Sequence, residues 1–150
     1  MKPKYEADRL DRRILMLLQQ NARLSNTEIG KRVGLSQPAV TARIQKMEQA
    51  GVITGYAARI DPGPLGMEIS AYIRLRTTHE HIKRCLTLFD AAPAITHADH
   101  ITGEDCFIVR VTVPTMNELE AVIDQLATLG AVTTSIVLAS YPGKPLSLGS

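Results

Sequence analysis

"LSNTEIGKRVGLSQPAVTARIQKMEQAG", residues 24–51, carries two helix start signals and two helix stop signals in close succession. Ser25 stands three residues before Glu28, the spacing of a capping box, so a helix begins there. Ile29 and Val33 fall on one face of it and Gly34 ends it. Ser36 opens the next helix, with Pro38 in the first turn, where a missing N–H is harmless, and Gly51 just past the end. Val40, Ile44 and Met47 form its inner stripe. The outer face carries Pro38, Thr41, Ala42, Gln45, Lys46 and Gln49, with Arg43 on the flank, and has no bulky apolar side chain. Two short helices joined by the tight "VGLS" turn fit a helix-turn-helix, and Gly30 lets the two approach closely.

Outward from this stretch, "ADRLDRRILMLLQQNAR" puts Leu10, Ile14, Leu17 and Leu18 on one face of a preceding helix. "DPGPLGM" from Asp61 has the composition of a linker. Residues 1–60 hold 11 lysines and arginines against 5 acids, a balance of +6, whereas residues 61–150 hold 6 against 10, a balance of −4. One half is thus suited to a polyanion and the other to a different task. No run of about 18 apolar residues could span a bilayer, and "MKPKYEADRLDRR" lacks a signal-peptide core, so the expected location is the cytoplasm. Cys85 and Cys106 have no CxxC partner and are expected to be thiols.

In the acidic half, "ISAYIRLRT" alternates Ile69, Ala71, Ile73 and Leu75 against Ser70, Tyr72, Arg74 and Arg76, a strand with one buried face. A helix over "HEHIKRCLTLFDAAP", strands over "AITHADHIT" and "CFIVRVTV", a helix from Thr115 to Gly130 and a strand over "AVTTSIVLAS" follow. Strand, helix, strand recurs at about 37 residues, the split βαβ repeat of a ferredoxin-like fold. "VITGYAARI", between the halves, is β-prone, with Thr54, Tyr56, Ala58 and Ile60 on one face. The expected class is α+β: an N-terminal helix-turn-helix, winged-helix-like domain (1–52), a strand and linker (53–67), a C-terminal ferredoxin-like βαββαβ domain (68–140) and a tail (141–150).

The leading Leu-Asp, the "L-S-x-x-x-V-x-x-R-I-x-x-M" pattern of the third helix and the "A-G-V-I" exit resemble the N-terminal half of the Lrp/AsnC (feast/famine) transcriptional regulators. "HITGEDCFIVRVTV" and "TTSIVL" resemble segments of that family's C-terminal domain, so the likeness runs from about Leu10 to Leu138. It implies that residues 36–46 enter the major groove and that Ser25, Asn26 and Thr27 approach phosphates at a helix N-terminus. Within that placement, Thr41 and Gln45 are suited to base edges, because they donate and accept near the middle of the exposed face. Lys31, Arg32, Arg43 and Lys46 are suited to phosphates, and Ser36, Gln37 and Pro38 complete the interface. The resemblance also implies that "VITGYAARI" pairs with a partner chain. The expected partners are double-stranded DNA, further copies of the chain in a dimer or higher homo-oligomer, and a small-molecule effector.

"HADHITGEDCF", residues 97–107, gathers polar side chains that invite other readings. Strand alternation puts His97 and Asp99 on one face with Ile95 and Ile101, and His100 on the other, so too few ligands converge for a metal site. Glu104 and Asp105 are adjacent at a hairpin tip and no nucleophile with an orienting base accompanies them, so no enzyme activity and no cofactor is expected. On its chemistry alone the tip is a turn in which Gly103 takes φ > 0. The family resemblance instead implies an amino-acid sensor at Thr102, Gly103, Glu104 and Asp105, with Thr134 on the last strand. Asp105 would pair with an ammonium and loop N–H groups would bind a carboxylate. Val132 stands where the family usually has a second threonine, which makes that wall less polar. The expected function is a sequence-specific DNA-binding regulator modulated by an effector, an amino acid foremost; the alternative is an architectural DNA-binding protein without an effector.

Overall fold

A computed structural model of the chain describes residues 4–149, which divide into two units: one runs to Ala58 and takes in the tail from Pro142, and the other is Arg59–Tyr141. The first holds three helices, α1 (Arg9–Gln20), α2 (Asn26–Val33) and α3 (Gln37–Gln49). Each starts where its capping residue dictates. The Asp8 carboxylate accepts from the Asp11 N–H and Asp11 reciprocates at the Asp8 N–H, while Ser25 and Glu28 form the same box on α2. Gly34 ends α2 in the left-handed region, at φ 77°. Ile14, Ile29, Val33, Val40, Ile44 and Met47 form the core, each burial contributing about 1.5–3 kcal/mol.

A methyl on Gly30 would lie 2.4 Å from the Leu35 carbonyl oxygen, so the absence of a side chain there is what lets the α2–α3 turn close. The tail lies along α1. Gln19 accepts from the Leu146 N–H at 2.7 Å and donates to the Leu146 carbonyl at 3.2 Å, and the Arg12 guanidinium donates to the Leu148 carbonyl.

The second unit is a four-stranded antiparallel sheet of β1 (Ile69–Arg76), β2 (Ile95–His100), β3 (Phe107–Val113) and β4 (Ala131–Ile136), ordered β2-β3-β1-β4. Helices α4 (Ile82–Ala91) and α5 (Met116–Ala127) bury one face of it. This is the split βαβ arrangement of a ferredoxin-like domain. Ala71, Ile73 and Leu75 on β1, with Phe107, Val109 and Val111 on β3, meet Cys85, Leu119, Val122 and Leu126 from the helices. Both cysteines are free thiols; burial pushes the Cys85 thiol up.

One local reading is corrected. A bulge between Ile95 and His97 breaks the alternation of β2, so Ile95 and Ala98 pack into the core while His97 and Asp99 project, exposed, from the uncovered face. Ile95 therefore does not share their face. His97 and Asp99 still converge, at 3.1 Å, and His100 turns away from them to stack on Phe107. The β-prone residues 54–60, expected to pair with a partner chain, belong to no strand of the single chain. Tyr56 donates its hydroxyl to Glu48, and burial together with this bond pushes its pKa up to about 12.

Candidate DNA interface and effector loop

Ser36 accepts from the Ala39 N–H and sets the start of α3, which fixes which residues face out. Gln37, Pro38, Ala42, Gln45, Lys46 and Gln49 are exposed, while Val40, Ile44 and Met47 are buried against α1 and α2. At the start of α2, the capping box occupies the Glu28 N–H and Ser25 N–H, and the Glu28 carboxyl is held below its ordinary value by its bond to the Ser25 backbone. Among the described residues the Asn26 and Thr27 N–H groups have no acceptor, and they stand at the positive end of the helix dipole, as a phosphate contact requires. Lys31 and Arg32 are exposed on the last turn of α2. The polar and basic side chains of the expected interface thus lie on one domain, outside its core.

Two members of that set are engaged inside the domain. Arg43 donates from Nη1 to Asp8 Oδ2 at 2.7 Å and to Asp11 Oδ1 at 2.8 Å. Tyr5 donates its hydroxyl to Asp11 Oδ2 at 2.8 Å. Asp11 is buried, and this cluster supplies partners to both its oxygens. Bonds to the Asp11 backbone and to Arg43 hold the Asp8 carboxyl below its ordinary value, and the two carboxylates raise Arg43. The Arg43 guanidinium thus ties α3 to the start of α1. No sequence pattern signals this contact, since residues 32 and 35 positions apart meet only after folding.

Thr41 is the second. Its hydroxyl donates to the Gln37 carbonyl at 3.0 Å and accepts from Asn26 Nδ2 at 2.9 Å and Gln37 Nε2 at 3.0 Å. One donor and two lone pairs are all a hydroxyl has, so the Thr41 hydroxyl is fully used inside the domain in this structure. Gln45 makes no such bond and stays exposed.

In the second unit, Gly103 takes φ 107°, the left-handed region expected for the tip. Glu104 accepts from Arg76 Nη2 at 2.7 Å, with both side chains exposed. Ile101 and Cys106 close the loop through a backbone bond of 2.9 Å. Thr134 pairs with Ile73 on β4, on the helix-covered face and half-buried, and Val132 shares that face. The 102–105 loop joins β2 to β3, and β1 stands between β3 and β4. At about 4.8 Å per strand spacing, Thr134 lies roughly 10 Å to the side of the end of β3. A groove of about 520 Å³ lies instead between α4 and α5, over Leu88, Ala91 and Leu129 with Lys83 and Arg84 at its rim. None of the expected effector residues lines it.

The arrangement agrees with what the chain is similar to. Residues 8–48 match the AsnC-type helix-turn-helix domain, and residues 70–145 match the Lrp/AsnC ligand binding domain. The HTH-type transcriptional regulator YezC of Bacillus subtilis is 35% identical over 138 residues, covering 92% of this chain and 98% of that protein. The solved structure of Escherichia coli AsnC superposes with a TM-score of 0.84 at 28% identity, over 95% of this chain and 99% of the other. The transcriptional regulator NMB0573 of Neisseria meningitidis, solved as an L-Met complex, gives 0.84 at 26% identity, over 92% of this chain and 94% of the other. A basic helix-turn-helix domain followed by a ferredoxin-like ligand-binding domain is shared along nearly the whole length, and the chain belongs to the Lrp/AsnC family of DNA-binding transcriptional regulators.

Proposed function

We propose that this regulator works in the cytoplasm as a homo-oligomer that binds double-stranded DNA sequence-specifically through the outward face of α3, and that an amino acid modulates it through the C-terminal domain. The exposed, polar and basic face formed by Gln37, Pro38, Gln45 and Lys46 carries the reading. It has the convex shape and chemistry that a major groove accepts, with Gln45 suited to a base edge and Lys46, Lys31 and Arg32 to phosphates. Ser36 sets the register of α3, Ser25 caps α2, and Asn26 and Thr27 add backbone donors at its start.

Effector binding is supported by the L-Met bound to the Neisseria relative and by the polar tip of Thr102, Gly103, Glu104 and Asp105. Asp105 supplies the carboxylate for an ammonium, and Thr134 adds a hydroxyl from a neighbouring copy. Such a site couples ligand to assembly, because a ligand shared between copies binds one assembly better than another. A thermal-shift and DNA-retention screen of the twenty amino acids tests this with full-length protein. At a hundredfold excess over its dissociation constant a true effector stabilises the fold by about 2.7 kcal/mol. Asp105→Ala should lose that response and keep its DNA affinity. A flat screen, or an Asp105→Ala protein that responds like wild type, removes the effector assignment and leaves the DNA-binding reading intact.

A further inference from the structure

The hydrogen bonds around Thr41 have a direction, and the direction fixes two neighbouring amides. The Thr41 hydroxyl proton goes to the Gln37 carbonyl, the i−4 acceptor within α3. The oxygen can then only accept. Both amides beside it, Asn26 from α2 and Gln37 from the first position of α3, must therefore turn N–H toward it, and they do, at 2.9 and 3.0 Å. A flipped amide at either place would set two acceptors against each other. What remains of Gln37 is one N–H and the carbonyl oxygen Oε1, neither of which has a partner among the described residues, on an exposed side chain at the N-terminal end of α3.

We propose that Gln37 is a specificity-determining base reader, and that Thr41 is a positioning residue that holds the Gln37 amide in the orientation that reads adenine. An amide that presents one donor beside one acceptor matches the N7 acceptor and N6 donor that adenine shows in the major groove. The end of a recognition helix nearest the groove floor is its first turn, where Gln37 stands. Without Thr41 the amide would rotate freely between orientations, and its preference would fade while its contact with DNA remained. With Thr41 in place the rotamer is set before DNA arrives, so less ordering is left for the bound state. The inference rests on the DNA-binding reading above and adds to it which side chain reads and which one aims.

Enrichment from a pool of duplexes with a randomised core, performed with full-length wild type, Gln37→Ala, Thr41→Val and Thr41→Ser at one salt concentration, tests it. Wild type should enrich an A·T pair at a fixed place in each half-site. Gln37→Ala should lose at least tenfold of the preference at that pair, within the range that one bidentate amide–base contact supplies. Thr41→Val, which keeps the shape and removes the hydroxyl, should lose preference at the same pair by a larger factor than it loses affinity for unselected duplex. Thr41→Ser should retain both. Since Gln37 is exposed, its variant also reports on the reader if Thr41→Val folds poorly. Wild-type selectivity in Thr41→Val, or a loss at a pair that Gln37→Ala leaves alone, overturns the division of roles. If wild type itself enriches no sequence, the reading of a sequence-specific regulator fails too.

Discussion

Asp11 is 3% exposed and keeps a carboxylate there because Arg43 and Tyr5 reach it from two sides. An Arg on a helix that faces DNA would ordinarily be counted as a phosphate ligand, but a guanidinium already paired with two carboxylates offers DNA little net charge. Arg43→Ala leaves Asp11 with Tyr5 and its own helix, and should lower the unfolding free energy in urea by about 1.5–3 kcal/mol, the cost of losing a charge-assisted bond to a buried group. The slope of log affinity against log salt should be unchanged by it. Lys46→Ala should flatten the same slope by about 1, one phosphate contact. Equal flattening by both variants would return Arg43 to the DNA. The cluster also sets a pH window for the domain. Asp8 sits below its ordinary value, so its contribution is complete above that value and is lost as pH falls through the lowered one. Tyr5 is pushed up to about 12, so its contribution is complete below pH 10 and is lost as pH rises through about 12.

At the level of elements, the glycine between α2 and α3 is the tightest constraint. A Cβ on Gly30 would meet backbone atoms of Leu35, which cannot swing aside as the end of a long side chain would. Gly30→Ala should therefore open the turn, cost about 2 kcal/mol or more in the first unit, and abolish DNA retention. Separate unfolding transitions followed by tyrosine fluorescence and circular dichroism should show the second unit at its wild-type midpoint; a variant with wild-type stability and DNA affinity would contradict the close approach. Elements of this kind were legible in the sequence because caps and glycines act locally. Ser25 with Glu28, Ser36 with Pro38, and Gly34 and Gly51 each state a boundary within four residues of chain, and the helices start and stop where they say. The bulge at β2 was not legible, since an extra residue in one strand shows only against its partner. The roles of Thr41 and Arg43 were hidden for a similar reason: Asn26 and Asp11 become their neighbours through packing of three helices, and neither pair has a periodic signature. Effector residues were the least legible, as Thr134 and the 102–105 loop stand on separate strands of one chain.

For the whole molecule, the division of charge is the broadest statement: +6 over residues 1–60 and −4 over residues 61–150. It assigns the polyanion to the helical half, and the fold then places exposed basic and amide side chains on that half. Residues 54–60 add a second statement. They are β-prone, carry exposed Tyr56 and Ile60, and find no ladder in their own chain, as suits a segment completed by another copy. A dimer with two recognition helices would present α3 twice, with half-sites about one helical turn or its multiples apart. The measurement that bears most directly on the account is competition between a duplex enriched by the full-length protein and a scrambled duplex of equal length and composition, across a range of salt. The account predicts that both affinities fall linearly with log salt and that the enriched duplex binds at least about 10³-fold tighter near physiological salt, the lower end for a specific binder. Equal affinity for the two duplexes, or no retention of either at low salt, would contradict it.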